Sequence, residues 1–188
     1  LSGNRRKEDL MKIIYCTRMF TDTEENVKTS QNPYSVSGHK FQENMLRGLV
    51  SNSKNVRVIN SIRVPHYPDY HKKIIKRTEF ILEGYKVGIN VGIINYFLIN
   101  FVSQFINVYR ELLKETKNSR KEKCILITFN SYIPQSLAML FIRLGRKNIV
   151  LCDAIGDLHG KFGLKNPNKG LKGFVLSSME RFQDYIAS

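Results

Sequence analysis

The chain has 188 residues, 42% of them hydrophobic, with 11 Phe and 9 Tyr. That is enough apolar material for one folded domain with a real core, and it excludes a disordered segment. Lys and Arg number 30 against 16 acidic residues, a formal charge of +14, which favours anionic partners such as phosphorylated substrates, lipid headgroups or nucleic acid.

Residues 1–10 are polar and charged, carry no signal-peptide pattern, and read as an N-terminal extension ahead of Met11. Lys12-Ile13-Ile14-Tyr15-Cys16 is a short apolar run suited to a strand buried on both faces. A polar loop from Thr21 to Pro33 leads to a helix over about Ser35 to Asn52. Its Phe41, Met45, Leu46 and Leu49 share one face. Val56 to Ile62 is the second strand. Pro65 to Arg77 reads as a basic, aromatic loop, and Glu79 to Ile89 holds one or two short strands around Gly84.

Ile93 to Lys117 predicts a long helix, apolar first and charged later. Its apolar part is broken by Asn95, Asn100, Ser103, Gln104 and Asn107 and is too short for a membrane span. Tyr96, Phe97, Phe101 and Phe105 on it are expected to face the core or another domain, with a membrane-contacting face as the lesser reading. Cys124 to Asn130 is the strongest strand. Pro134 then opens a helix with Leu137, Leu140, Phe141 and Leu144 on its apolar face and Gly145 as C-cap. Asn148 to Cys152 and Gly173 to Ser177 are further strands, and Ser178 to Ile186 a final helix. Strands joined by helical crossovers predict an α/β fold: a Rossmann-like, doubly wound, mainly parallel sheet with helices on both faces.

The basic residues are scattered, with short runs only at Arg5-Arg6-Lys7, His71-Lys72-Lys73 with Lys76-Arg77, and Arg120-Lys121-Glu122-Lys123. A solvated basic surface is their first reading and an anion-facing surface the second. Cys16, Cys124 and Cys152 have no metal-ligand spacing. Cys124 and Cys152 lie in strand-like runs, so reduced core thiols in a cytoplasmic protein are expected, and no metal.

In such a sheet ligands bind beyond the carboxyl ends of the strands. That rule selects Thr17 and Arg18, then Ser35, Gly38, His39 and Lys40 where the first helix opens, then Asn130, Ser131 and Tyr132, and Asp153. A helix start can hold a phosphate or carboxylate, but there is neither GxGxxG nor GxxxxGK[ST] here. Capping of a helix with a solvated basic flank explains Ser35 to Lys40 equally well. Asp153 to Gly160 gathers two acids and a histidine just past a strand end. Asp157 and His159 are the candidate catalytic pair, able to orient a hydroxyl or bond a sugar, against the ordinary reading of a loop carboxylate capping a helix. His66 and His71 are expected at the surface. Tyr67, Tyr70, Lys72 and Lys73 around them mix aromatic rings with cations, as nucleic-acid or glycan contacts do.

Taken in order, several segments resemble the N-terminal domain of family 4-like (group 1) glycosyltransferases. They are Met11 to Tyr15, Ser35 to Phe41 leading into Leu46-Arg47-Gly48-Leu49, Val56-Arg57-Val58, Thr128 to Gln135, Asp153 to Asp157, and Gly173 to Met179. The resemblance spans residues 11–188. It implies one half of a GT-B enzyme, the acceptor-side N-terminal domain, with the C-terminal nucleotide-sugar domain absent from this chain. The partners would then be a nucleotide-sugar co-substrate, a glycan or lipid-linked acceptor, and the enzyme's own C-terminal domain. No cofactor is implied, catalysis would be metal-independent, and the retaining outcome is expected by analogy alone.

Two departures stand out. The interval from Asp157 to Gly173 is short for that family, and Thr17-Arg18-Met19-Phe20 replaces its usual Gly-Gly loop. The expected setting is cytoplasmic, with peripheral contact to an anionic membrane, and this part alone is expected to be inactive. The rival from another class is a non-catalytic, flavodoxin-like α/β module binding nucleic acid or another anionic partner, with nucleic acid the less favoured partner of the first reading.

Overall fold

A computed structural model describes residues 11–19, 36–53, 55–117, 123–130 and 132–154. The elements run β1 (Lys12–Thr17), α1 (Val36–Asn52), β2 (Val56–Asn60), β3 (Ile74–Ile75), β4 (Thr78–Leu82), β5 (Tyr85–Asn90), β6 (Ile93–Ile94), α2 (Phe97–Lys117), β7 (Cys124–Phe129), α3 (Ile133–Leu144) and β8 (Ile149–Ala154). The extension over 1–10, the strand expected at Gly173 to Ser177 and the helix expected at Ser178 to Ile186 lie outside the described residues.

The fold is α/β, with a mostly parallel six-stranded sheet in the order β4-β5-β2-β1-β7-β8. β1 pairs in parallel with β2 and β7, β2 with β5, and β7 with β8; β4 alone runs antiparallel, against β5. The central strand explains why. In β1 all residues from Ile13 to Thr17 are buried, which a chain achieves only when both faces of its sheet are covered. Ile14 and Cys16 pack with Val108 and Leu112 of α2 and with Ala138 and Met139 of α3. Ile13 and Tyr15 point the other way, onto Leu46 of α1. Thus α1 lies over one face and α2 with α3 over the other.

The connection from β2 to β5 corrects the expectation of helical crossovers throughout. Residues 61–73 form a loop containing the cis peptide Tyr67–Pro68, and β3 pairs with β6 as a small separate ribbon. β4 then turns back through Glu83 and Gly84, both at positive φ (51° and 81°). That is the geometry of a two-residue hairpin whose twist matches the strands. The return strand slots between β4 and β2, and Gly88 is needed there. A Cβ at that position would meet the Val58 backbone, with its Cα at 2.8 Å and carbonyl carbon at 2.7 Å.

Four further expectations change. Ile93 and Ile94 are β6, so the long helix begins at Phe97. Asn95 takes the intervening backbone out of helical pairing: its N–H donates to Lys73 O at 2.7 Å and its carbonyl accepts from Tyr67 N at 2.8 Å. In α3 the buried side chains are Ile133, Pro134, Gln135, Ser136, Ala138, Met139 and Ile142, while Phe141 and Leu144 are 53% and 75% exposed. Small Ala138 lets α3 sit close on the sheet, and Phe141 is turned outward onto the rings of Phe105 and Tyr109. Gly145 caps α3 in an ordinary right-handed conformation (φ −84°), not the left-handed one that demands glycine. Finally, Cys16 and Cys124 are the buried thiols, and Cys152 is exposed because β8 is the last strand of the described sheet.

Candidate functional site

β1, β2, β5, β7 and β8 point the same way, so Thr17, Asn60, Asn90, Phe129 and Ala154 end on one edge of the sheet. Taken as parallel strands in chain order, the arrangement is 3-2-1-4-5. The chain runs outward from β1 on one side and then jumps to the other, so the switch point, where such sheets form their crevice, lies between the ends of β1 and β7. This is where open α/β sheets bind ligands.

The edge is built from buried polar side chains. Thr17, Asn60, Asn90 and Thr128 sit at or next to the ends of their strands, all less than 5% exposed. Each must find a partner, because an unpaired polar group costs about 1–3 kcal/mol when buried. Thr17 Oγ1 donates to Gln42 Oε1 of α1 at 2.6 Å, and the same oxygen accepts from Arg18 N at 3.3 Å. Asn60 Oδ1 accepts from Met19 N at 2.8 Å, while Asn60 Nδ2 donates to Met19 O at 2.9 Å and Asn90 Oδ1 at 2.7 Å. Gln135 of α3 closes the set: its Nε2 donates to Thr17 O at 2.8 Å and Ser61 Oγ at 2.7 Å. These bonds tie both helix layers to the end of β1 and fix the direction in which residue 18 leaves the sheet.

Arg18 leaves it toward Tyr132, its guanidinium carbon 3.6 Å from the ring centroid, a close cation–π contact. Its Nε is buried without a hydrogen-bond partner among the described residues. Burial lowers the Arg18 pKa from its ordinary value, the nearby Tyr132 phenol opposes this, and the charge of Arg63 adds to the lowering. His66 belongs to the same electrostatic group. Burial and then the Arg18 charge lower its pKa, against Asp69, and its Nδ1 is buried without a hydrogen-bond partner among the described residues. A histidine expected at the surface therefore stands beside the crevice. The like charges of Arg18 and Arg63 repel one another, and an anion would relieve that repulsion, while the lowered pKa keeps His66 neutral beside them.

Of the residues expected from the sequence, Thr17, Arg18 and Tyr132 are brought together at the crevice. Gly38, His39 and Lys40 lie near the start of α1, where the Gly38 carbonyl accepts from Gln42 Nε2 at 3.3 Å, linking that turn to Thr17. Asn130 follows β7 at positive φ (53°), and its N–H donates to Ala154 O at 3.1 Å. Asp153 pairs with Thr128 near the end of β8, one strand farther from β1. Ser35, Ser131, Asp157 and His159 lie outside the described residues. Sequence reasoning missed Gln42, Asn60, Asn90 and Gln135 as parts of the site. Asn60 and Asn90 did carry a signal: each is an amide at the carboxyl end of its strand, where the positional rule looks.

Among the described residues no group of three His, Cys, Asp or Glu could hold a metal ion, and no helix is long and apolar enough to cross a membrane. Compared with protein-family models, curated proteins and solved structures, the chain matches none of them.

Proposed function

We propose that the chain is the acceptor-side, Rossmann-like, doubly wound half of a GT-B glycosyltransferase, acting from a nucleotide-sugar onto a glycan or lipid-linked acceptor. The observation that carries this reading is Arg18, a partly buried guanidinium whose Nε has no hydrogen-bond partner among the described residues, held at the crevice between β1 and β7. The order 3-2-1-4-5 supports the Rossmann-like reading and differs from the flavodoxin order 2-1-3-4-5, which weakens the rival module.

In this proposal the acceptor hydroxyl attacks the anomeric carbon, the bond to the nucleoside diphosphate breaks, and the diphosphate leaves with the electron pair. Arg18, reinforced by the charge of Arg63, takes up the charge that develops on that leaving group. An arginine replaces the glycine-rich phosphate loop, so a side chain rather than backbone N–H groups meets the phosphate. Asp157 and His159 are assigned the acceptor hydroxyl and its proton. Thr17, Gly38, His39, Lys40, Asn130 and Asp153 shape the wall around it, Ser35 and Ser131 are assigned to acceptor or donor contact, and Tyr132 holds the guanidinium in place.

The test is release of free nucleoside diphosphate from a panel of nucleotide-sugars by the whole gene product, with and without lipid-linked and free glycans. Release that depends on acceptor, and falls about 10²-fold or more in Arg18→Ala, is expected. No release from any donor, or Arg18→Ala at the full rate, overturns the proposal. A steep salt dependence of nucleic-acid binding in place of turnover would favour the rival.

A further inference from the structure

The first half of α2 is inside out. An amphipathic helix on a sheet turns its apolar stripe inward. Here Asn100, Ser103 and Gln104 are buried, while Phe97 (62%), Leu98 (75%), Ile99, Val102 (52%) and Ile106 are exposed. The buried Asn100 and Ser103 have local partners, and Gln104 Nε2 donates to Asn100 Oδ1. Asn100 Nδ2 donates to Asn95 Oδ1 at 2.8 Å, and Ser103 Oγ accepts from Ile94 N at 3.0 Å. Among the described residues nothing covers Leu98, Ile99, Val102 and Ile106, which share one helical face, with Phe97 at its edge against His66.

The surroundings of that face are cationic. Asn95 pins the loop of residues 61–73 to the start of α2, donating through Nδ2 to Pro65 O at 2.9 Å and Lys72 O at 3.2 Å. Ring contacts of Tyr67 with Tyr96 and of His66 with Phe97 hold the two segments side by side. From Arg63 to Lys76 this strip carries Arg63, Lys72, Lys73 and Lys76 against a single acid, Asp69. Arg63, Lys73 and Lys76 are exposed. Exposed apolar side chains, aromatic rings beside them and a cationic fringe are the composition of a surface that lies in a lipid interface.

We propose that the first half of α2, with the loop of residues 61–73, docks on an anionic lipid bilayer. Leu98, Val102 and Ile106 enter the acyl boundary, while Lys73 and Lys76 meet the headgroups. A second copy of this chain fits the surface poorly, because it would set one cationic fringe against another on a molecule of net charge +14. The surface stands apart from the glycosyl-transfer reading and is measured without any sugar.

The experiment is co-sedimentation of the full chain with vesicles of phosphatidylcholine alone or mixed with phosphatidylglycerol, alongside Leu98→Asp/Val102→Asp and Lys73→Ala/Lys76→Ala. All four positions are exposed, and thermal melts check that each variant folds. Binding to the mixed vesicles, weak binding to the neutral ones, and at least tenfold loss in Leu98→Asp/Val102→Asp are expected. Each lysine removed should cost about fivefold in partitioning at physiological salt. Equal binding of wild type and Leu98→Asp/Val102→Asp, or no binding to the mixed vesicles, overturns the proposal. So does a wild-type dimer in sedimentation velocity that the aspartate pair dissolves, which would make the face a self-association surface.

Discussion

Gln135 joins α3 to the ends of β1 and β2, and Gln135→Leu measures how much that junction contributes. The side chain is fully buried, and its Nε2 donates to Thr17 O at 2.8 Å and Ser61 Oγ at 2.7 Å. Leucine is close in volume and a good helix former, so cavity and propensity effects are small. The Thr17 carbonyl keeps its bond from Ser61 N at 2.9 Å. The fully buried Ser61 hydroxyl, in contrast, loses the donor aimed at it. The two bonds from Nε2 cost about 1–3 kcal/mol together, the long 3.4 Å bond that Gln135 Oε1 accepts from Thr128 Oγ1 adds little, and the stranded Ser61 oxygen adds about 1 kcal/mol. A total of about 2–4 kcal/mol lowers the melting temperature by about 5–15 °C in a chain of this size. Urea melts followed by far-UV circular dichroism give the energy directly. Ser61→Ala in the Gln135→Leu background removes the stranded group, so the double mutant should recover at least about 0.5 kcal/mol relative to additivity. A single mutant within 0.5 kcal/mol of wild type, or a strictly additive cycle, would refute the assignment.

Gly88→Ala should be far worse than an ordinary surface change, because its Cβ would lie 2.7 Å from the Val58 carbonyl carbon and only parting β2 from β5 makes room. A loss above about 3 kcal/mol is expected, while Gly48→Ala, with nothing within 4 Å of the added methyl in α1, should stabilise by about 0.4–1 kcal/mol; equal melting temperatures would sink this contrast. Burial, with Cys124 adjacent, pushes the Cys16 thiol up to about 12, whereas Cys152 is exposed. A disulfide reagent at about pH 8 should therefore modify Cys152 quickly and the two buried thiols only on unfolding, and Cys152→Ser should abolish the fast phase. Burial alone would raise the Glu111 pKa, but hydrogen bonds from Lys114 and Arg77, and then their charges, hold it below its ordinary 4.5. A carboxyl depressed by folding contributes stability in full above about 4.5 and loses it as pH falls through the lower folded value. Glu111→Gln should consequently flatten the dependence of the urea midpoint on pH below about 5, and an unchanged slope would count against the pairing.

The layers of the fold were legible because burial on two faces leaves unbroken apolar runs, as in β1 and β7, and burial on one face leaves a helical period, as in α1. The β4–β5 hairpin was faint because its turn is Glu83-Gly84 instead of the Asn-Gly or Asp-Gly pair that announces such turns. The start of α2 was misplaced because Ile93 and Ile94 continue its apolar character. What ends the strand is the backbone of Asn95 bonding to Lys73 and Tyr67, partners more than 20 residues earlier. The site divides the same way. A positional rule reaches Thr17, Arg18 and Tyr132, since they follow strand ends. Gln42 and Gln135 look like solvated amides in a helix until the tertiary structure buries them against the end of β1.

The two inversions in this chain, amides inside at the sheet edge and apolar residues outside on α2, meet in the loop of residues 61–73. That loop leaves β2 directly after Asn60, which is bonded to Met19, and it is anchored to α2 by Asn95. Its Arg63 and His66 interact electrostatically with Arg18, while Tyr67 lies against Tyr96 at the start of the exposed face and has Lys73 over its ring. If the bilayer and glycosyl-transfer proposals both hold, one anchored strip of backbone sets the distance between the membrane surface and the cation that meets the diphosphate. A lipid-linked acceptor would then reach the crevice along the plane of the headgroups without leaving them. Asn95→Leu removes the side-chain bonds to Pro65, Lys72 and Asn100 while leaving Arg18 and the exposed side chains of α2 in place. It should therefore impair transfer to lipid-linked acceptors more than to short soluble ones, with vesicle binding weakened less than in Leu98→Asp/Val102→Asp. Equal loss with both acceptors would mean that the strip supports the crevice alone and does not link it to the membrane.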